Sequence, residues 1–235
     1  LTTVSGRPID PADPLGHYDD PSLQDPADLE VDRQRRQQLQ AVLAGAVARL
    51  AVSEAFAAVY RAGGVQDVTV VENDWQPMAG MLSRRGRSSR QSPLRLCYVG
   101  GLALHKGYAV LQAALQRHNL AEAGAGACLT VIDATLQPDQ SYILAWNGTP
   151  VHCCASVPMA AMAEFYAEHD VLIAPSIWPE SYGLVTREAL SAGLWVVASG
   201  IGALADPIEH GVNGHVVPPG DPDALGRVLV QLCAE

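Results

Sequence analysis

The sequence has little phenylalanine, little positive charge and no long apolar run, and each shortage excludes something. Two of its 235 residues are Phe, while Ala is abundant. Small apolar side chains suit helices packed closely on a sheet rather than an aromatic-rich sandwich. Fifteen Lys and Arg stand against 25 Asp and Glu, giving a net charge of -10. Phosphate backbones require a basic face, so no nucleic acid is expected as a partner. No apolar stretch reaches the ~18 residues of a membrane span, and no secretory signal is visible. The chain opens on Leu1 rather than Met, so a trimmed front is expected.

Cysteine is sparse and irregularly spaced. The count is five, an odd number. Cys97, Cys128 and Cys233 sit in apolar runs, where free cysteine behaves as a small hydrophobe. Adjacent Cys153 and Cys154 are badly placed to pair with each other. A reducing, cytoplasmic setting fits this usage. His152-Cys153-Cys154 suggests a metal, but no second ligand pair lies at a useful spacing, so none is expected. A Gly-x-Ser-x-Gly elbow and a P-loop are both missing.

What is present can build a core, with 49% apolar and 17% charged residues. Much of the acid is concentrated at the front, as Asp10, Asp13, Asp19, Asp20, Asp25, Asp28, Glu30 and Asp32. Residues 1–32 lack an apolar period and read as a loop. Leu39, Val42, Leu43, Ala46 and Val47 recur at helical spacing and predict a helix over 32–50. A strand at 49–52, a helix over 54–61 capped by Ser53, and a strand at 68–72 complete a β-α-β run. Residues 84–92 are basic and serine-rich, the composition of a linker.

From residue 93 onward, strands and helices alternate. Strands are expected at 94–99, 128–133, 142–146, 151–154, 171–174 and 194–199. Helices are expected over 106–118, 159–169, 183–192 and 222–233. Short apolar strands separated by helices indicate an α/β fold, a Rossmann-like parallel sheet flanked by helices. Such sheets bind ligands at the carboxyl ends of their strands.

Three loops at that edge draw attention. The first runs Gly100-Gly101-Leu102-Ala103-Leu104-His105-Lys106-Gly107. Its glycines permit close backbone approach, and Lys106 adds a cation at a helix start, a combination suited to phosphate. Taken alone, the loop reads more simply as a βα turn with a surface lysine. The second runs from Pro175 through Trp178, Glu180, Ser181, Tyr182 and Gly183 to Glu188. The amides of Gly183, Leu184 and Val185 are free to bind an anion at the helix start. Glu180 and Glu188 flank them, two acceptors for hydroxyls on either side of a diphosphate. The plainer alternative gives Glu180 to the helix dipole and Glu188 to a surface pair with Arg187. The third holds Gly200, Gly202, Gly211 and Gly214 after the last strand.

In this order the blocks 99–107, Glu180 with Glu188, 202–214 and 216–222 resemble the C-terminal domain of family 4 retaining glycosyltransferases. The likeness covers 94–232. Residues 46–73 are similar to the last β-α-β of that family's N-terminal domain. The resemblance implies a GT-B fold. It divides the chain into 1–83, an acidic loop with a remnant of the acceptor domain; 84–92, a linker; and 93–235, the nucleotide-sugar-binding domain. The family's long closing helix is expected to be missing after Glu235.

The same resemblance implies a function, the transfer of a sugar from a nucleoside-diphosphate sugar to a glycan or other acceptor. Lys106 and Glu180 would be catalytic. Lys106 would bind the distal phosphate and Glu180 the sugar hydroxyls. Gly100, Gly101, Ser181, Tyr182, Gly183, Leu184 and Val185 would line the donor, Glu188 would hold the ribose, and 155–158 the base. No metal or other cofactor is implied. Two positions depart from the family: Gly101 stands where an arginine is frequent, and Asp206 where glutamate is common. Two other readings stay open: another GT-B enzyme such as a phosphorylase or epimerase, and a non-catalytic nucleotide-sugar-binding or partner module.

Overall fold

A computed structural model describes residues 26–75 and 93–235. The expected 84–92 linker, the 83/84 boundary and the acidic residues up to Asp25 lie outside the described residues. The 1–32 loop and the 32–50 helix are corrected at their shared border. Helix α1 spans Pro26–Ala44. Proline's fixed φ suits a first helical turn, so Pro26 starts the helix inside the expected loop. Gly45 closes it, and 49–50 belong to a strand instead.

The upstream unit continues with β1 (Arg49–Ala51), α2 (Glu54–Ala62) and β2 (Val68–Val70). β1 and β2 pair in parallel, Arg49 opposite Val68. The Ser53 hydroxyl accepts from the amide of Phe56 at 3.0 Å, the expected N-cap. Ala51, Ala57 and Val68 form a small core on which Phe56 and Tyr60 pack.

The downstream unit is a seven-stranded sheet. Its strands are β3 (Leu94–Tyr98), β4 (Ala127–Ile132), β5 (Ser141–Trp146), β6 (Thr149–Cys154), β7 (Val171–Ala174), β8 (Trp195–Ser199) and β9 (Gly214–Val217), in the order β5-β6-β4-β3-β7-β8-β9. All neighbours run parallel except β5 and β6. The strand expected at 142–146 is therefore one arm of an antiparallel hairpin. Its turn is Asn147-Gly148, with φ of 47° and 83°. Two positive φ angles make the turn whose twist matches a hairpin. β9 carries little sequence signal, because its run is short and begins on glycine.

Helices α3 (Tyr108–Arg117) and α6 (Pro222–Ala234) cover one face, and α4 (Met162–Ala167) and α5 (Leu184–Ser191) the other. Alternation along β3 decides the sides. Leu96 and Tyr98 face Leu111, Leu115, Leu225 and Leu229, while Cys97 faces Tyr166, Leu172 and Ala189. Asp221 caps α6, accepting from the amides of Asp223 and Ala224. The described cysteines are free thiols. Residues on successive sides of β6 point apart, so His152 is exposed while Cys153 is buried. Among the described residues no three His, Cys, Asp or Glu side chains converge on a common point. None of the described helices is long and apolar enough to cross a membrane.

The expected 106–118 helix is divided. A 3₁₀ turn at Leu104–Lys106 precedes Gly107, and α3 begins only at Tyr108. Gly107 has φ 80°, and a Cβ there would stand 1.8 Å from the carbonyl oxygen of Pro175. This contact lets the loops after β3 and β7 meet. Gly107→Ala is expected to lower unfolding free energy by about 3 kcal/mol, through backbone strain and overpacking. A denaturant titration with unchanged slope checks this.

Candidate functional site

The strand order reverses at β3. The chain moves from β3 to β4 and β6 on one side, then returns to β7 on the other. The loops after β3 and β7 therefore meet at the carboxyl edge, the place where open α/β sheets take ligands. Local hydrogen bonds hold them together. The backbone oxygen of His105 accepts from the amide of Ile177 at 3.0 Å and from the buried Ser176 hydroxyl at 2.8 Å. The buried Tyr98 hydroxyl donates to the carbonyl of Lys106 at 3.3 Å. Burial, with Tyr108 and Glu180 adding to it, pushes this phenol well above its ordinary pKa and keeps it a donor. Gly100 is needed here, since a Cβ would stand 2.6 Å from the Tyr98 hydroxyl.

Across this seam Lys106 Nζ donates to Glu180 Oε1 at 2.7 Å. Lys106 is the chain's single lysine. The pair is only partly withdrawn from water, the lysine side chain being 35% exposed and the glutamate 16%. Glu180 is fixed by its backbone as well. It bridges Gly202 in parallel, and its carbonyl accepts from the amide of Ala203 at 2.8 Å.

Three residues on, Gly183 is the N-cap of α5 with φ 70°. The helix start leaves the amides of Leu184 and Val185 without intrahelical partners by position. It is anchored by the buried Thr186 hydroxyl, which reaches the carbonyl oxygens of Gly183 (2.9 Å) and Leu204 (3.0 Å). Tyr182 is buried beneath Arg187, whose guanidinium carbon lies 4.0 Å from the ring centre. Arg187 also donates to the Tyr182 carbonyl, so it packs against its own loop rather than pairing with Glu188.

Glu188 sits on the buried side of α5 and accepts from the Tyr166 hydroxyl at 3.2 Å. Burial raises its pKa, and the Tyr166 bond opposes that in part. Gly101 has φ 62°, with open space where a Cβ would stand. A side chain there would be held in the left-handed region, which larger residues seldom adopt.

A cavity of about 530 Å³ opens at this edge, lined by Phe56, His105, Lys106, Trp178, Pro179, Glu180 and Ser181. The structure thus brings Lys106, Glu180 and Ser181 to one space. Gly100, Gly101, Tyr182, Gly183, Leu184, Val185 and Glu188 are not among its lining residues. Of the predicted residues, Tyr182 has its side chain turned into the fold. Phe56 and His105 were not singled out in the sequence. Phe56 comes from the upstream unit, and an aromatic three residues after a helix cap carries no distinctive signal.

The family described as Glycosyl transferases group 1 matches residues 93–235. An uncharacterized glycosyltransferase of Methanocaldococcus jannaschii is 32% identical over 148 residues, covering 60% of this chain and 36% of that protein. A phosphatidyl-myo-inositol mannosyltransferase of Mycobacterium leprae is 48% identical over 63 residues, covering 27% of this chain and 17% of its own length. Among solved structures, a sucrose-phosphate synthase from Thermosynechococcus elongatus superposes with a TM-score of 0.67 at 21% identity, covering 86% of this chain and 53% of that one. Anabaena HepE in complex with UDP and glucose gives 0.64 at 18% identity, covering 90% and 59%. These structural likenesses show the fold, that of GT-B glycosyltransferases. The chain spans about a third of the archaeal relative's length and about half that of the solved structures.

Thr186→Val keeps the shape of the α5 anchor and removes its hydroxyl. It is expected to cost about 1–2 kcal/mol, because the single hydroxyl proton shared between two buried carbonyls is lost. Chemical denaturation measures the loss, and an unchanged midpoint would remove the hydroxyl from the account of the helix start.

Proposed function

The chain belongs to the glycosyl transferases of group 1, and on that premise we propose that it supplies the donor-binding half of a retaining, family 4 enzyme. Residues 93–235 form the nucleotide-sugar domain in this reading, and residues up to 83 carry part of the acceptor half. The observation that carries it is the Lys106–Glu180 pair, 2.7 Å across the switch point and next to the start of α5. A cation, a carboxylate and unpartnered helix amides at one sheet edge match a ligand with a diphosphate and hydroxyls beside it.

Each residue then has a task. The amides of Gly183, Leu184 and Val185 receive the diphosphate, and the turn of Gly100 and Gly101 lets it approach the backbone. Lys106 holds the distal phosphate. Glu180 accepts from sugar hydroxyls, Ser181 lies beside it, and Glu188 accepts from the ribose. Residues 155–158 line the base. In the reaction, the bond between the sugar's anomeric carbon and the phosphate oxygen breaks as an acceptor oxygen bonds to that carbon. The acceptor's proton passes to the departing phosphate. Negative charge grows on that phosphate, and a fixed ammonium with aimed amides stabilises it without reorganising. Glu180 positions the sugar, no side chain is assigned as nucleophile, and the scheme asks for no metal. Gly101 offers no second cation, which leaves Lys106 with a larger share of the charge.

UDP and glucose bound to the HepE relative make UDP-glucose the first donor to try. A thermal-shift panel of UDP-, GDP-, ADP- and TDP-sugars identifies the base, since a ligand of the folded state raises its melting temperature. Lys106→Ala and Glu188→Ala are each expected to weaken the best donor by about tenfold or more, the loss of one charge-assisted contact. Unchanged affinity in both, by calorimetry, would sink these assignments.

Acidity gives a second check. The raised pKa of Glu188 means that its carboxylate is protonated sooner than an ordinary one as pH falls. Ribose binding by a charged acceptor is then full well above that value and fades as pH drops through it. A nucleotide sugar, whose diphosphate does not titrate near neutrality, should bind more weakly as pH falls from neutrality towards the carboxylate range, with the loss beginning above the ordinary glutamate pKa. Glu188→Gln should remove that part of the slope, and an identical slope in the variant would exclude Glu188 from the contact.

A further inference from the structure

The Glu180 loop is held from both sides. On the downstream side Gly202, Ala203 and Lys106 fix Glu180. On the upstream side two hydrogen bonds cross from the other unit. The Ser53 hydroxyl donates to the carbonyl of Ser181 at 2.6 Å, while accepting from the amide of Phe56. The Tyr182 hydroxyl donates to the carbonyl of Asn73 at 3.3 Å. Ser53 is 4% exposed and Tyr182 3%, so the donor side of each bond is buried, while the acceptors belong to the exposed residues Ser181 and Asn73. They fall on residues 181 and 182, between the carboxylate of Glu180 and the first amides of α5.

We propose that Ser53 and Tyr182 form a latch by which the upstream unit sets the position of the 180–183 turn. Ser53 is then a positioning residue for the donor site. The link to donor binding rests on the reading of that turn given above; the mechanical link does not. The two bonds tie the turn to the carboxyl ends of both upstream strands, at the start of α2 and after β2. A displacement of that unit therefore moves the sugar-side carboxylate relative to Lys106. By reciprocity, a ligand that fixes the turn must also steady the start of α2.

Amide hydrogen exchange on the 235-residue chain tests this. Without ligand, Ser53→Ala and Tyr182→Phe should each speed exchange across 178–187 by about three- to tenfold, the opening expected on losing one ordinary hydrogen bond. Ser53→Thr keeps both donor and acceptor and should restore the original rate. Tyr182→Phe leaves the α2 cap intact, so it separates the latch from the cap. No acceleration at 178–187 in Tyr182→Phe, or a change in Ser53→Ala confined to α2, overturns the proposal. In a second arm, UDP-glucose should slow exchange over 49–57 in the unmodified chain but not in Ser53→Ala. Protection of equal size in the variant overturns the coupling. If none of the nucleotide sugars binds the unmodified chain, the donor reading fails, and the ligand-free arm still decides the latch.

Discussion

The site depends on one ion pair made across the place where the sheet reverses direction. Lys106 and Glu180 are far apart in sequence, on loops that follow β3 and β7. Only the return of the chain past β3 makes those loops neighbours. A carboxylate kept mostly from water needs a partner, and the lysine supplies it. Their attraction sets the spacing of the two groups. The surrounding bonds through Ser176, Ile177 and Tyr98 explain why the lysine cannot drift from the seam.

The division between anchoring and binding groups follows from burial. Tyr182, Thr186 and Arg187 spend their polar atoms on the fold. The groups left over are the helix amides, the Lys106 ammonium and the Glu180 carboxylate. Glu188 is intermediate, half withdrawn beside Tyr166. A loop whose anchors are satisfied internally can hold its remaining donors ready without a ligand, and preorganisation of this kind is what electrostatic catalysis requires.

Much of this was legible in the sequence because the physics was local. Apolar strands with helices between them announce a parallel sheet, and loops at its carboxyl edge announce a site. The convergence of Lys106 with Glu180 was implied by the family resemblance, since each loop taken alone also reads as an ordinary turn before a helix. Other features depended on partners distant in the chain. The start of α1 was hidden by acidic residues that look like loop but tolerate a helix. Asn147-Gly148 is a hairpin signal, yet the surrounding alternation favoured a parallel reading. Phe56 in the cavity and Ser53 on the carbonyl of Ser181 arise from one unit lying against another. No period or motif encodes such contacts.

The hairpin has a consequence of its own. Because β5 runs against its neighbours, the turn at Asn147 and Gly148 lies at the amino edge of the sheet, opposite every loop of the site. Both residues are exposed. New chain ends or an inserted tag at that turn would leave the connections after β3, β4, β6, β7 and β8 uninterrupted. The molecule can thus be cut and rejoined on its blind side, with the working rim still carried on continuous backbone.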